Sequence, residues 1–140
     1  FWKIKVLNGT FHFLFLMRAS IDDFNKVEQA ARKFAESVGS GKSEICKPAF
    51  LPEAVMFGFL DGKLEAGTIQ NLYNNIDNAG ADPKYVSRVD VLYVDGTVAI
   101  ARVLEDNWSG HNFSDYLMLL KMGDDWKIVA KVYHELPKQK

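Results

Sequence analysis

Asp115 and His134 are the residues whose types and placement most invite chemistry. They lie in the stretch "NFSDYLMLLKMGDDWKIVAKVYH", residues 112–134, on two apolar runs that flank a tight turn. A carboxylate and an imidazole held together can act as general base and acid. Whether they meet depends on strand pairing, because side chains alternate across a strand and paired residues share a face. A two-residue turn at Gly123-Asp124 pairs Met122 with Asp125, which sets Asp115 opposite Val132 and Phe113 opposite His134. One face then carries Phe113, Asp115, Leu117 and Leu119 with Ile128, Ala130, Val132 and His134. The other carries Ser114, Tyr116, Met118 and Leu120 with Lys127, Val129, Lys131 and Tyr133. The lysines mark the second face as outer. Asp115 and His134 are therefore expected inside, roughly 7–8 Å apart at their β-carbons. An odd-length loop reverses that relation.

The turn signal Asp95-Gly96 joins another pair of runs, 85–94 and 97–105. Pairing Val94 with Thr97 puts Val89, Val91 and Tyr93 on one face with Val98, Ile100, Arg102 and Leu104. This is the more apolar face, and Arg102 is its one charge. A buried guanidinium needs a carboxylate, and Asp115 on the next strand is the inward acid. Arg102, Asp115 and His134 thus form an expected polar cluster in an apolar concavity. A structural ion pair with a hydrogen-bonded edge histidine accounts for the same residues. So does a small-molecule pocket with a few convergent polar groups.

The elements that must position this cluster follow from local signals. Ser20 caps a helix, with Asp23 completing a capping-box variant. Phe24, Val27, Ala31, Phe34 and Val38 form one apolar stripe, and Gly39 is the expected stop. A short helix is expected at 43–50 and a strand at 53–60, ending in the Asp61-Gly62 turn. Thr68 is read as the cap of a further helix, with Ile69, Leu72, Tyr73 and Ile76 on one face and Gly80 and Pro83 as stops. Helices and one hairpin, followed by long antiparallel strands, predict an α+β fold with helices on one face of a curved sheet.

Composition narrows the functional classes. The 140 residues suit a single domain, with 48% hydrophobic and 25% charged residues. A formal net charge of −1 argues against a nucleic-acid partner. Residues 11–17 are apolar but too short to cross a bilayer, which takes ~20 residues. No membrane partner is expected, and residues 1–17 are read as an extension, with a membrane-directing segment as the alternative, before a domain at 18–136 and a tail at 137–140. The lone Cys46 fits a reducing compartment, hence the cytoplasm, and is read as a buried filler. The Asp-Gly turns at 61–62 and 95–96 are not phosphate loops. There is no G-x-S-x-G motif and no metal-ligand spacing, so no metal and no cofactor are expected. Trp108 reads as an aromatic wall for a planar ligand or a plug, and Trp126 as a hairpin core residue. Tyr73 reads as core with its hydroxyl able to turn inward, and His111 as solvated in a polar loop.

Several segments together resemble the putative lumazine-binding group of the nuclear transport factor 2-like (SnoaL-like) superfamily. They are "KPAFLPEAVMFGFLDGKLEAGTIQNLY", "ARVLEDNWSGHNFSDYLMLLK" and "WKIVAKVYH". The similarity runs from about residue 20 to 134, through A-G-x-I-Q, D/E-N-W, F-S/T-D and K-V-x-H in that order. It implies a cone-shaped α+β fold: three N-terminal helices packed on a strongly curved antiparallel sheet that encloses a cavity. It also implies homodimers formed through sheet faces. Trp108, Asp115 and His134 fall on the group's motifs, and Arg102 where the group often has arginine. Leu51 stands where relatives commonly have histidine.

The expectation is a module that binds a small apolar or aromatic ligand, contacted by Arg102, Trp108, Tyr73 and Phe57. The alternative is a cofactor-independent lyase or isomerase with Asp115 and His134 as acid and base. In that reading Arg102 or Tyr73 stabilises the enolate. A third reading is an interaction module that uses the outer sheet face, with Tyr116, Met118 and Leu120 covered by a partner subunit.

Overall fold

The structure, a computed structural model, describes residues 19–138. The expected extension at 1–17 lies outside them. Helix α1 (Ile21–Ser40) opens with the expected capping box: Ser20 Oγ accepts from the Asp23 N–H and the Asp23 carboxylate accepts from the Ser20 N–H. Val27, Ala31, Phe34 and Val38 are buried as the stripe predicts, but Phe24 is 42% exposed. At that end Asp23 takes the inward place. It accepts from the Trp126 indole at 3.0 Å and pairs with Lys121 at 2.9 Å, tying the helix start to the last hairpin. Burial works against the Asp23 charge, yet bonds from Lys121, Trp126 and Ser20 prevail and hold the carboxyl well below its usual range. The helix ends at Gly41 (φ 65°) rather than Gly39. Gly39 stays helical, and a Cβ there would meet the Tyr85 ring at 2.9 Å, so its smallness serves packing.

The expected short helix at 43–50 is instead two 3₁₀ turns, Ser43–Ile45 and Lys47–Ala49. Pro48, which has no N–H to give an α-helical ladder, lies in the second. Strands β1 (Phe50–Leu60) and β2 (Lys63–Thr68) form the expected hairpin about Asp61-Gly62. Helix α2 (Gln70–Ala79) follows. Thr68 does not cap it, because it is the last residue of β2, and Ile69 takes the cap position without a side-chain bond. Ile69, Leu72, Tyr73 and Ile76 are buried as expected. Strands β3 (Val86–Asp95), β4 (Val98–Trp108), β5 (His111–Met122) and β6 (Asp125–Leu136) complete a sheet of order β2-β1-β6-β5-β4-β3. Its neighbours are antiparallel except β1 and β6, which run parallel. Helix α1 packs across β3, β4 and β6.

The α+β class is as the sequence implies, with one correction. The helices are not all N-terminal: α1 and two 3₁₀ turns precede the sheet, and α2 lies between β2 and β3. In place of an enclosed cavity, the packing leaves a partly open pocket at one end of the sheet, beside α2. Among the described residues, no helix is long and apolar enough to cross a membrane.

Two bulges decide which side chains face inward. In β5–β6 the turn pairs Met122 with Asp125 as expected, but the register shifts after Leu119–Ile128 and resumes at Met118–Ala130. Val129 is the extra residue, and one extra residue turns every later side chain to the opposite face. Lys131 and Tyr133 therefore point into the core, while Val132 and His134 are exposed. In β3–β4 the register shifts at Leu92, so Val89 pairs with Val103 and Val91 with Ala101. The buried row of β4 is Ala99, Ala101, Val103 and Glu105. Its two alanines leave room beneath α1, and Arg102 lies on the other face.

Candidate ligand-binding site

The expected inward triad is not assembled. Asp115 is fully buried, as its strand predicts. His134 stands on the exposed face, opposite Ser114 and Phe59. Arg102 is outside too, 3.7 Å from Asp90, which is the carboxylate it meets in place of Asp115. Phe57 lies on that outer face at 42% exposure. Tyr73 is core: it packs edge-on against Phe50 at 6.0 Å, and burial pushes its hydroxyl up to about 12. Trp108 alone of the four expected contact residues borders the pocket.

What Asp115 does meet is Lys131, at 3.3 Å, the two side chains 0% and 2% exposed. The lysine ammonium also lies over the Tyr133 ring at 4.3 Å and the Phe34 ring at 5.4 Å. Both contacts favour the cation. Glu105, equally buried, completes the group from β4 and accepts a short bond from the Tyr85 hydroxyl. Burial first, then the Asp115 charge and a hydrogen bond to it, push the Glu105 carboxyl well above its ordinary value. Taken as two carboxylates, Glu105 Oε1 and both Asp115 oxygens have no hydrogen-bond donor. A proton on Glu105 would supply one, and burial and the Asp115 charge push the carboxyl in that direction.

Lys131 borders a pocket of about 220 Å³ between α2 and the ends of β1, β4, β5 and β6, its ammonium against Asp115 and the Phe34 and Tyr133 rings. Its lining is mainly apolar, with Met56, Leu60, Trp108, Phe113 and Tyr133, and Glu65, Asn75 and Asn78 are among its polar members. Phe113 packs edge-on against Trp108 at 5.6 Å and against Tyr133 at 5.4 Å. Gly58 makes the Tyr133 position possible, since a Cβ there would lie 2.4 Å from that ring. The Tyr133 hydroxyl donates to Glu65 at 2.8 Å, and burial followed by that bond raises it above the ordinary tyrosine value. Trp108 is aimed by irregular backbone: the β4–β5 register breaks between Glu105 and Trp108, and Asn107 and Ser109 both have positive φ. Such strain in non-glycine residues collects where a side chain must be directed.

His111, expected in solvent, borders this pocket. It stacks on Phe113 at 5.9 Å, and its Nδ1 lies 2.8 Å from Glu135 Oε1. Glu135 also accepts from the Asp61 N–H at 2.7 Å. These two bonds, His111 first, hold its carboxyl below the usual range. Asp61, His111 and Glu135 present ligand atoms within 4.8 Å of one another. The two hydrogen bonds account for that grouping without an ion. One signal could have found Lys131: it is the lysine of the K-V-x-H motif. His111 and Glu105 carried no such mark.

The comparisons agree with this architecture. Residues 22–134 match the model of the family described as putative lumazine-binding, and the chain belongs to that family. NTF2-like proteins from Shewanella baltica OS155 and Methylobacillus flagellatus KT are each 33% identical, over 86% of this chain and 98% of theirs. Their TM-scores are 0.78 and 0.80. Aldolase FrzH from Cladobotryum sp is 28% identical over 117 residues, 83% of this chain and 94% of that protein.

Proposed function

We propose that the protein binds a compact, planar, largely apolar small molecule in the pocket above Lys131. The observation that carries this reading is a mainly apolar pocket with Trp108, Phe113 and Tyr133 in its lining and the buried Lys131 at its border. Apolar surface supplies affinity in such sites, and a few placed polar groups fix orientation. About 220 Å³ suits one or two fused rings rather than an extended chain. Trp108 acts as the wall, and Asp115 acts as counterion to Lys131 rather than as a partner of His134. Native mass spectrometry of the purified protein, with ligand titration followed by Trp108 fluorescence, tests the reading. A bound molecule whose quenching persists in Trp108→Phe would place it elsewhere.

The second reading is cofactor-independent lyase or isomerase chemistry on a carbonyl compound. The buried Glu105–Asp115–Lys131 group behind the pocket favours it, as does the similarity to an aldolase.

We also propose a homodimer through the outer sheet face. Phe57, Val132 and Tyr116 are register neighbours across β1, β6 and β5, each at least 42% exposed. Apolar rows of this kind mark interfaces.

A further inference from the structure

We infer that the pocket selects a ligand carrying a protonated amine, with the Glu65 carboxylate as its anchor. This rests on the ligand-pocket reading and names the ligand class within it: a small ring bearing a primary or secondary ammonium group. The lining holds one carboxylate, Glu65, and one ammonium, Lys131. The two are not equivalent. Lys131 lies against the core, 3.3 Å from Asp115, and that counterion offsets its charge. Among the described residues, no lysine, arginine or histidine pairs with Glu65. Glu135, held as a carboxylate beside His111, adds a second negative group at the border. The field in the pocket is therefore negative and favours a cation.

The sheet holds Glu65 in place. Glu65 of β2 pairs with Gly58 of β1, and Gly58 pairs with Tyr133 of β6, so the three share a face. The missing side chain at Gly58 leaves the gap that the Tyr133 ring occupies, and the Tyr133 hydroxyl donates to Glu65 Oε2 at 2.8 Å. One carboxylate oxygen is thus fixed by the protein. Among the described residues Oε1 has no donor, and it keeps its lone pairs for a ligand.

The neutral polar groups point the same way. Tyr133 gives its one O–H to Glu65, so its oxygen can only accept a further bond. His111 has Nδ1 toward Glu135 at 2.8 Å, which leaves Nε2 of the neutral ring as an acceptor. Asn75 and Asn78, one turn apart on α2, add amide carbonyls. An ammonium group brings N–H donors and no acceptor, which matches this acceptor-rich set. A carboxylate or phosphate group would instead meet Glu65 with like charge. Trp108 and Phe113, edge-on at 5.6 Å, offer apolar surface to the ring, and a cation beside aromatic rings is favoured further.

Three ligands of one shape test this: 2-aminoindane, 2-indanol and indane-2-carboxylate, each titrated into the full chain at pH 7 by isothermal calorimetry. At that pH they are a cation, a neutral molecule and an anion. The amine should bind at least about tenfold more tightly than the alcohol, and the carboxylate more weakly than the alcohol. Glu65→Gln keeps the shape and an acceptor for Tyr133. It should bring the amine to within about threefold of the alcohol, with alcohol affinity within about twofold of wild type. Glu53→Gln removes one charge from an exposed position of β1 outside the lining, and should keep the wild-type preference. Equal affinities for the three, tighter binding of the carboxylate, an amine preference that survives Glu65→Gln, or an equal loss in Glu53→Gln overturns the inference and leaves the pocket reading intact. Absence of binding by all three removes the pocket reading and the inference with it.

Discussion

Replacing Glu105 with Gln should leave the protein no less stable, and should make it relatively more stable as the pH rises. Burying a glutamate and then changing it is ordinarily costly. Here burial and the Asp115 charge push the carboxyl toward its neutral form, which accepts from Tyr85 and can donate to Asp115. A glutamine amide reproduces both bonds, its carbonyl toward Tyr85 and its NH₂ toward Asp115. At pH values below an ordinary glutamate value near 4.5 the difference should stay within about 1 kcal/mol, the net worth of one neutral hydrogen bond. Above it the two proteins diverge. The folded-state value of Glu105 is raised, so its contribution is complete below the unfolded-state value and is lost as the pH climbs toward the folded one. In that window the unfolded wild type releases a proton that the folded protein keeps. Each pH unit therefore costs wild type about 1.4 kcal/mol that the glutamine variant does not lose. Urea denaturation of both proteins at several pH values from 4 to 7 gives the difference curve directly, and other titrating groups cancel from it. A flat difference, or a loss of about 3 kcal/mol or more at every pH, would mean that Glu105 is ionised in the fold and that the proposed proton sharing is wrong.

Asp115→Asn should behave in the opposite way. At 3.3 Å and an effective dielectric near 20, the Lys131 attraction is about 5 kcal/mol, and breaking a buried pair typically costs about 3–5. A urea midpoint shift worth less than about 1 kcal/mol would show that water screens the lysine. Gly58→Ala drives a methyl group into the Tyr133 ring, so ~1–3 kcal/mol should be lost, with weaker quenching of Trp108 by bound ligand. Sedimentation velocity should find a dimer that Val132→Lys or Phe57→Lys converts to monomer with the circular dichroism spectrum unchanged. A wild-type monomer at micromolar concentration would remove the interface proposal.

The layout of the fold was legible because its signals are local. The Ser20 capping box, the α1 stripe from Val27 onward and the turn at Gly123-Asp124 each act within a few residues, and the structure has them where the sequence places them. The site was less legible because it depends on two bulges. Val129 and Leu92 have no side-chain signature for an extra residue, and each inverts the faces of the strand beyond it. The inference that lysine means outside then compounded the error at Lys131, whose charge is accommodated by Asp115 and two aromatic rings. Choosing the more apolar face of β4 failed for a related reason. The buried row there is built on small alanines that admit α1, so counting large apolar residues selected the wrong side. His111 and Glu135 are 24 residues apart and meet only through strand pairing near the end of the β5–β6 ladder.

A crystal structure of the protein with bound 2-aminoindane tests the central claim most directly. The expected result is a ring lying between Trp108 and Tyr133 with its nitrogen about 3 Å from a Glu65 carboxylate oxygen, a hydrogen-bond distance. Electron density for the ring on the outer sheet face, or in this pocket with its nitrogen turned away from Glu65 toward solvent, would contradict it.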